Sequence, residues 1–133
     1  MPRTTIILAD DNPGVLAHVS QMLHKEKDYE VIATVSDGAL VVRKSLQLRP
    51  AVIILDISMG DVSGIDIAQD LRDLGCRAKI IFLTVHEDPD FMNAGIGAGG
   101  SAYVVKSRLG QDLLPAILAV LSNKVFISPC LLY

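Results

Sequence analysis

Short apolar segments alternate with helix-type repeats along the whole chain. The apolar segments lie at residues 5–9, 30–35, 51–55, 79–83 and 102–105. Each is followed by a stretch in which apolar residues recur at intervals of three and four, the spacing of a helix with one buried face. Five strands and five helices in strict alternation predict a doubly wound α/β fold, a parallel sheet with helices on both faces. No linker or internal repeat interrupts the pattern, so we expect a single domain over residues 1–133.

Polar residues and prolines set the expected helix boundaries. Asn12 can cap the first helix, and Pro13 suits its first position because that position needs no N–H donor. The helix predicted over residues 88–98 is weak, since it contains two glycines that each cost about 1 kcal/mol relative to alanine. Proline is tolerated only in a first helical turn, so Pro115 predicts that the last helix starts near Asp112, whose side chain would cap it.

Composition narrows the class of protein further. Half of the residues are hydrophobic, yet no apolar run approaches the roughly 20 residues of a membrane span. The net charge of −3 argues against direct nucleic-acid binding by this chain, because such binding usually needs a basic face. Cys76 and Cys130 have no metal-type spacing and are expected to be free thiols. We therefore expect a cytoplasmic domain without membrane contact.

The residues that carry chemistry follow the predicted strands. Side chains with oxygen or ammonium groups stand directly after four of the strands: Asp10, Asp11, Asp56, Thr84 and Lys106. In an open α/β sheet the ligand site lies beyond the carboxyl ends of the strands, where the strand order reverses. We therefore expect these side chains to meet at one edge of the sheet, although they are far apart in sequence.

This set of side chains suits phosphoryl transfer to a carboxylate. Three neighbouring carboxylates repel one another, so the cluster needs a cation, and an all-oxygen ligand set favours Mg²⁺. Asp56 is the candidate nucleophile, because a carboxylate can form an aspartyl phosphate. Lys106 would neutralise charge on the phosphoryl oxygens, and the Thr84 hydroxyl would donate a hydrogen bond to one of them. Each residue alone could be an ordinary loop residue, but the joint pattern is much more specific.

The sequences around these strand ends resemble those of the receiver domains of two-component response regulators. The matching stretches are ILADD (7–11), VIILDISM (52–59), IIFLT (80–84) and AYVVK (102–106). The resemblance covers residues 4–128 and implies a flavodoxin-like, doubly wound five-stranded parallel sheet of order 2-1-3-4-5 with five helices. It also implies a signalling domain, not a metabolic enzyme, which receives its phosphoryl group from a sensor histidine kinase and assists its own phosphorylation and dephosphorylation.

The resemblance assigns a role to each residue of the site. Asp56 is implied to be the phosphoacceptor. The Mg²⁺ ligands are implied to be Asp11, Asp56 and the backbone carbonyl of Ser58, with Asp10 acting through water. Thr84 and Tyr103 are implied to be the switch pair, in which the hydroxyl moves to the phosphoryl group and the ring swings inward. This movement would alter the face formed by the fourth helix and the fifth strand.

Further stretches point to one subfamily of receivers. HEDP (86–89), AG (98–99) and FISP (126–129) are similar to receivers that are fused to a LuxR-type helix-turn-helix domain. The similarity implies a DNA-binding output domain that is not present in this chain, with residues 124–133 as the start of a linker to it. It favours a truncated chain over a stand-alone receiver. Gly60 and Val85 depart from the family pattern, which commonly has proline and a small residue there, and both would affect reaction rates.

The last helix is apolar on more than one side. A helix that covers a sheet needs only one apolar stripe, so the remaining apolar side chains suggest a covered outer face. The candidate interface residues are Leu114, Leu118 and Leu121, and the partner would be a second copy of the chain or the output domain. The alternative is a helix with exposed aliphatic side chains and no partner.

Three other functions fit the sequence less well. An aspartyl-phosphate hydrolase generally has a second aspartate two residues after the nucleophile, where this chain has Ser58. A flavodoxin-like cofactor binder needs a phosphate-cradling loop after the first strand, but Asp10 and Asp11 would repel a phosphate without a metal. A receiver that binds partners without phosphorylation would not need the intact acidic set.

Overall fold

The described part of the chain, residues 3–131 of a computed structural model, folds around one parallel sheet. Its six strands have the order 2-1-3-4-5-6. They are β1 (Thr4–Ala9), β2 (Tyr29–Val35), β3 (Val52–Asp56), β4 (Lys79–Thr84), β5 (Ala102–Val105) and β6 (Phe126–Ile127). The predicted order 2-1-3-4-5 is confirmed. The short β6, which was not predicted, pairs with the free edge of β5.

Five helices cover the two faces of the sheet, as predicted. They are α1 (Pro13–His24), α2 (Val41–Leu48), α3 (Gly64–Asp73), α4 (Pro89–Gly97) and α5 (Leu109–Leu121). The predicted cap of α1 is present, because the Asn12 side chain accepts hydrogen bonds from the N–H groups of Gly14 and Val15. One-turn 3₁₀ segments lie at Gly38–Leu40, Lys106–Arg108 and Pro129–Leu131.

The predicted start of the last helix is wrong. We expected it near Asp112, but α5 begins at Leu109 directly after a 3₁₀ turn, so Pro115 lies inside the helix. Its ring side faces solvent, where water can satisfy the carbonyl that loses its helical N–H partner. Asp112 does not cap the helix. It is buried instead and accepts hydrogen bonds from Arg108 and Ser128.

The sheet separates two apolar clusters. On one face, side chains of β1, β3, β4 and β5 pack with α1 and α5. On the other face, alternate side chains of the same strands pack with α2 and α3. All five residues of β3 are buried, as expected for a central parallel strand with helices on both faces. This rigid double layer fixes the carboxyl ends of β1, β3, β4 and β5, where the functional side chains lie.

Candidate functional site

Three carboxylates meet at the carboxyl edge of the sheet. Asp10 and Asp11 follow β1, and Asp56 is the last residue of β3. Each offers one oxygen, and these oxygens all lie within 4.8 Å of one another. The adjacency of β1 and β3 in the sheet explains this convergence, because parallel strands end at the same edge. The predicted acidic cluster therefore forms.

Lys106 supplies the positive charge inside the cluster. Its Nζ lies 2.9 Å from Oδ2 of Asp10 and 3.3 Å from Oδ2 of Asp56. Burial lowers the pKa of Lys106, but attraction to the two carboxylates outweighs burial and raises it overall. One ammonium group faces three carboxylates, so the cluster keeps a net negative charge that would attract a cation.

Two carboxylates of the cluster, Asp10 and Asp56, are almost completely buried, and a metal ion would stabilise their negative charge. Oδ2 of Asp10 is buried and shares the Lys106 ammonium group with Oδ2 of Asp56, so one cation serves two buried carboxylates. Asp56 is only 5% exposed. Burial and then the charge of Asp10 raise the pKa of Asp56 to about 6, against the hydrogen bond from the Ser58 N–H and the charge of Lys106. Both features mark a site with unsatisfied negative charge, and its donors are all oxygen, which fits Mg²⁺.

The loop after β3 closes one side of the cluster. Ser58–Met59 and Val62–Ser63 form a small antiparallel pair, a detail that was not predicted. At its tip Gly60 has φ +64° and donates its N–H to Oδ2 of Asp11 at 3.1 Å. Proline has neither this φ nor an N–H. The glycine at this position therefore allows a loop contact with Asp11 that the common family residue could not make.

The backbone N–H and carbonyl of His86 contact the two predicted switch residues, Thr84 and Tyr103. Thr84, which is fully buried, accepts a hydrogen bond on Oγ1 from the N–H of His86 at 3.0 Å. The hydroxyl of Tyr103 donates to the carbonyl of His86, also at 3.0 Å. Tyr103 is fully buried, so its ring occupies the inward position in this structure. Thr84 and Tyr103 are thus brought together through one residue that connects β4 to α4.

The side chain of His86 was missed as a site residue. Its Nε2 lies 3.3 Å from Oγ of Ser58, and its ring stacks on Phe91 with a centroid distance of 4.3 Å. The imidazole therefore bridges the loops that follow β3 and β4, beside Asp56. In the sequence, His86 stood out only as the first residue of the HEDP stretch, two positions after Thr84. Val85, in contrast, is 69% exposed, so its side chain is not packed into the site.

The candidate interface on α5 is only partly exposed. Leu118 and Leu121 are 61% and 40% exposed, whereas Leu114 is half-buried and packs against the core. An apolar outer surface is therefore present on this helix, centred on Leu118. Within residues 3–131, no helix is both long and apolar enough to cross a membrane.

The fold and the acidic edge define a doubly wound α/β domain with a carboxylate cluster that could hold a metal ion. The sequence profile of the response regulator receiver domain matches residues 6–118. The chain belongs to the response regulator receiver family.

Similarity to individual proteins indicates the subfamily of receiver domains. A nitrate/nitrite response regulator protein homolog from Haemophilus influenzae is 33% identical over 123 residues, which cover 92% of this chain and 59% of the relative. The transcriptional regulatory protein DesR from Bacillus subtilis is 32% identical, with 94% and 62% covered. The crystal structure of a LuxR-family two-component response regulator from Aurantimonas superposes with a TM-score of 0.92 at 27% identity, covering 97% of this chain and 92% of that one.

These comparisons confirm the predicted subfamily. The chain is a receiver domain of the kind found in LuxR-family two-component response regulators, and it is a signalling domain. It spans about three fifths of the length of the curated relatives it matches.

Proposed function

We propose that this domain accepts a phosphoryl group on Asp56 from a sensor histidine kinase and converts that event into a change of its α4 and β5 surface. The observation that carries the proposal is the position of Asp56. It is a buried carboxylate at the end of the central strand, with Asp10 and Lys106 beside it. Such a site places a nucleophile, a counter-charge and a cation pocket at one point.

A magnesium ion would be held by the acidic edge of this site. Its proposed ligands are carboxylate oxygens of Asp11 and Asp56 and the backbone carbonyl of Ser58, with Asp10 acting through water. When bound, Mg²⁺ would neutralise negative charge on the phosphoryl oxygens and on the carboxylates around them. The close approach of three carboxylates around one ammonium group and the raised pKa of Asp56 both support a cation at this place.

The residues of the chain would carry the other parts of the transfer. An oxygen of Asp56 attacks phosphorus, and the bond from phosphorus to the donor breaks as the new P–O bond forms. Lys106 then exchanges its contact with Asp56 for one with a phosphoryl oxygen. Thr84 turns its hydroxyl to another phosphoryl oxygen, which loosens its contact with His86 and through it alters the environment of Tyr103. The same site would support slow self-dephosphorylation.

The output would be the control of transcription in a longer protein. The curated relatives include a regulator described as transcriptional, and they extend well beyond the part that matches this chain. We propose that the linker to a helix-turn-helix domain begins within residues 124–133, but only after β6 and the buried Ser128, which belong to the folded domain. We further propose that the helix-turn-helix domain, not the receiver, contacts DNA. Residues 132 and 133 lie outside the described part of the structure.

The proposal is tested by intact mass after incubation with acetyl phosphate or phosphoramidate, with and without Mg²⁺. We expect a Mg²⁺-dependent, base-labile gain of one phosphoryl group in the wild type and none in Asp56→Asn, because the amide is not a nucleophile of this kind. Asp61→Asn, in the exposed hairpin tip nearby, is the matched control and should be modified normally. An unmodified wild type that still binds Mg²⁺ would contradict phosphoacceptance.

We further propose that the outer surface of α5 pairs with a second copy of the domain when it is phosphorylated. We expect Leu118→Glu to raise the dissociation constant of the beryllofluoride-treated dimer at least about tenfold, because it places a charge in an apolar contact. Leu74→Glu is the matched control, since Leu74 is 58% exposed, close to the 61% of Leu118, but follows α3. Analytical ultracentrifugation measures both, and equal constants for the two variants would place the interface elsewhere.

A further inference from the structure

A buried carboxylate outside the acidic cluster has no part in the function proposed above. Asp112, in α5, is only 3% exposed. Its Oδ2 accepts a hydrogen bond from the Ser128 hydroxyl at 2.8 Å and one from Nε of Arg108 at 3.2 Å. Its Oδ1 accepts from Nη2 of Arg108 at 3.3 Å. A buried carboxylate is expensive unless such partners are held in place, so this arrangement needs a reason.

The Ser128 hydroxyl connects this carboxylate to the strand that leads into the phosphoryl site. The N–H of Val105, the last residue of β5, donates to Oγ of Ser128 at 3.0 Å. An N–H can only donate, so the serine oxygen accepts from Val105 and its own proton goes to Asp112. The direction of both hydrogen bonds is therefore fixed.

This hydroxyl takes the place of a backbone group in the sheet. The N–H of Ser128 donates to the carbonyl of Tyr103 at 2.9 Å, as in a parallel ladder. The next bond of a regular ladder would run from the N–H of Val105 to the carbonyl of Ser128. That carbonyl instead accepts from Leu131 at 3.0 Å in the last 3₁₀ turn. The side chain of Ser128 thus holds the end of β5 where the backbone no longer does.

Both ends of the turn that carries Lys106 are consequently tied to one carboxylate. Val105 precedes Lys106 and reaches Asp112 through Ser128, while Arg108 closes the same 3₁₀ turn and contacts Asp112 directly. A single 3₁₀ turn has weak internal hydrogen bonds and does not by itself fix its side chains. We infer that Asp112 and Ser128 are positioning residues for phosphoryl transfer, which brace the Lys106 turn so that its ammonium group lies between Asp10 and Asp56. The inference rests on the proposed function of Asp56.

The test compares Ser128→Ala with Ser107→Ala in the 133-residue chain. Ser107 lies in the same turn, is exposed and has no side-chain hydrogen bond among those described, so it is the matched control. Two quantities are measured on each variant: the rate constant of phosphoryl addition from phosphoramidate, and the dissociation constant of Mg²⁺ by calorimetry. Lys106 is not a proposed Mg²⁺ ligand, and its positive charge repels the ion, so its displacement should slow phosphoryl addition without weakening Mg²⁺ binding.

We expect Ser128→Ala to slow phosphoryl addition roughly tenfold, less than the hundredfold that a misplacement of about 1 Å can cause. Its Mg²⁺ dissociation constant should be no higher than that of the wild type, and hydrogen exchange at the Val105 amide should become fast. Ser107→Ala should match the wild type in all three. A folded Ser128→Ala variant with the wild-type rate, or with a rate that falls only in proportion to Mg²⁺ affinity, overturns the inference.

A second variant covers the case in which Ser128→Ala does not fold. Arg108→Gln removes the ion pair with Asp112 and leaves Ser128 in place. Because the Arg108 side chain is partly exposed, this variant should fold, and its rate of phosphoryl addition should fall without a loss of Mg²⁺ affinity. A wild-type rate in this variant overturns the inference as well. Failure of the proposed function is distinguishable, because it would appear as an unmodified wild type. The inference about Lys106 would then fall with it.

Discussion

Gly64→Ala is expected to destabilise the domain by about 3 kcal/mol or more, which is a large part of the stability of an ordinary single domain. Gly64 is the first residue of α3 and is buried against the end of β3, which carries the proposed nucleophile. A Cβ there would overlap the carbonyl oxygen of Asp56 and lie 2.9 Å from Cα of Ile57. These are backbone atoms of the central strand and the residue after it, so they cannot rotate away as a flexible side chain would.

Urea unfolding of Gly64→Ala and Gly97→Ala gives the matched comparison. Gly97 ends α4, and a Cβ there would have no neighbour within 4 Å. Alanine should therefore be neutral or stabilise by up to about 1 kcal/mol, because it restricts the unfolded chain. The N–H of Gly64 also donates to the carbonyl of Ile57 at 2.6 Å, so a surviving variant should bind Mg²⁺ more weakly. Equal stability of the two variants would contradict this prediction, since it would mean that the backbone at Asp56 and Ile57 can move to accommodate a Cβ at no cost in free energy.

Asp56→Asn is expected to stabilise the metal-free domain near neutral pH by up to about 3 kcal/mol, since one pKa unit corresponds to about 1.4 kcal/mol. Burial, followed by the charge of Asp10, raises the pKa of Asp56 from 3.8 to about 6. Between these values the folded wild type binds more protons than the unfolded chain. The contribution of Asp56 to stability therefore falls as the pH rises from about 4 to about 6 and then stays level, because the ionised carboxylate is disfavoured in the fold.

Thermal or urea unfolding between pH 4 and 8 measures this effect. The stability difference between Asp56→Asn and wild type should be absent near pH 4 and complete above about pH 7. Saturating Mg²⁺ should reverse the order, because a ligand that binds only the folded state adds stability and the variant lacks one ligand. A pH-independent difference between variant and wild type would assign the effect to packing, not to charge.

The alternation of strand and helix could be predicted from the sequence because its cause is local. Short apolar runs bounded by polar or turn residues, such as 51–55, are typical of buried strands, and the intervening three-and-four spacing is typical of a one-sided helix. The placement of Asp10, Asp11, Asp56, Thr84 and Lys106 then followed from the rule that parallel strands end at one edge. The family resemblance supplied the strand order, which the sheet confirms.

The predictions failed where a residue's environment depends on contacts with parts of the chain that are distant in sequence. Asp112 and Pro115 looked like the start of a helix, because an acidic residue three positions before a proline fits a capped first turn. In the fold, Ser128 and Arg108 bind that carboxylate, so it is buried and the helix begins at Leu109. The pairing of residues 126–127 with β5 depends on the edge that the folded sheet leaves free, which no local pattern specifies.

The class of fold and the set of side chains at its functional edge are encoded locally, because hydrophobic periodicity and strand-end position are properties of neighbouring residues. The contacts among these side chains arise only when the chain folds. It placed Lys106 between Asp10 and Asp56, set His86 against Ser58, and tied Val105 to Asp112 through Ser128. Each of these contacts joins separate elements across the fold, and its distance is fixed by the packing of helices on both faces of the sheet.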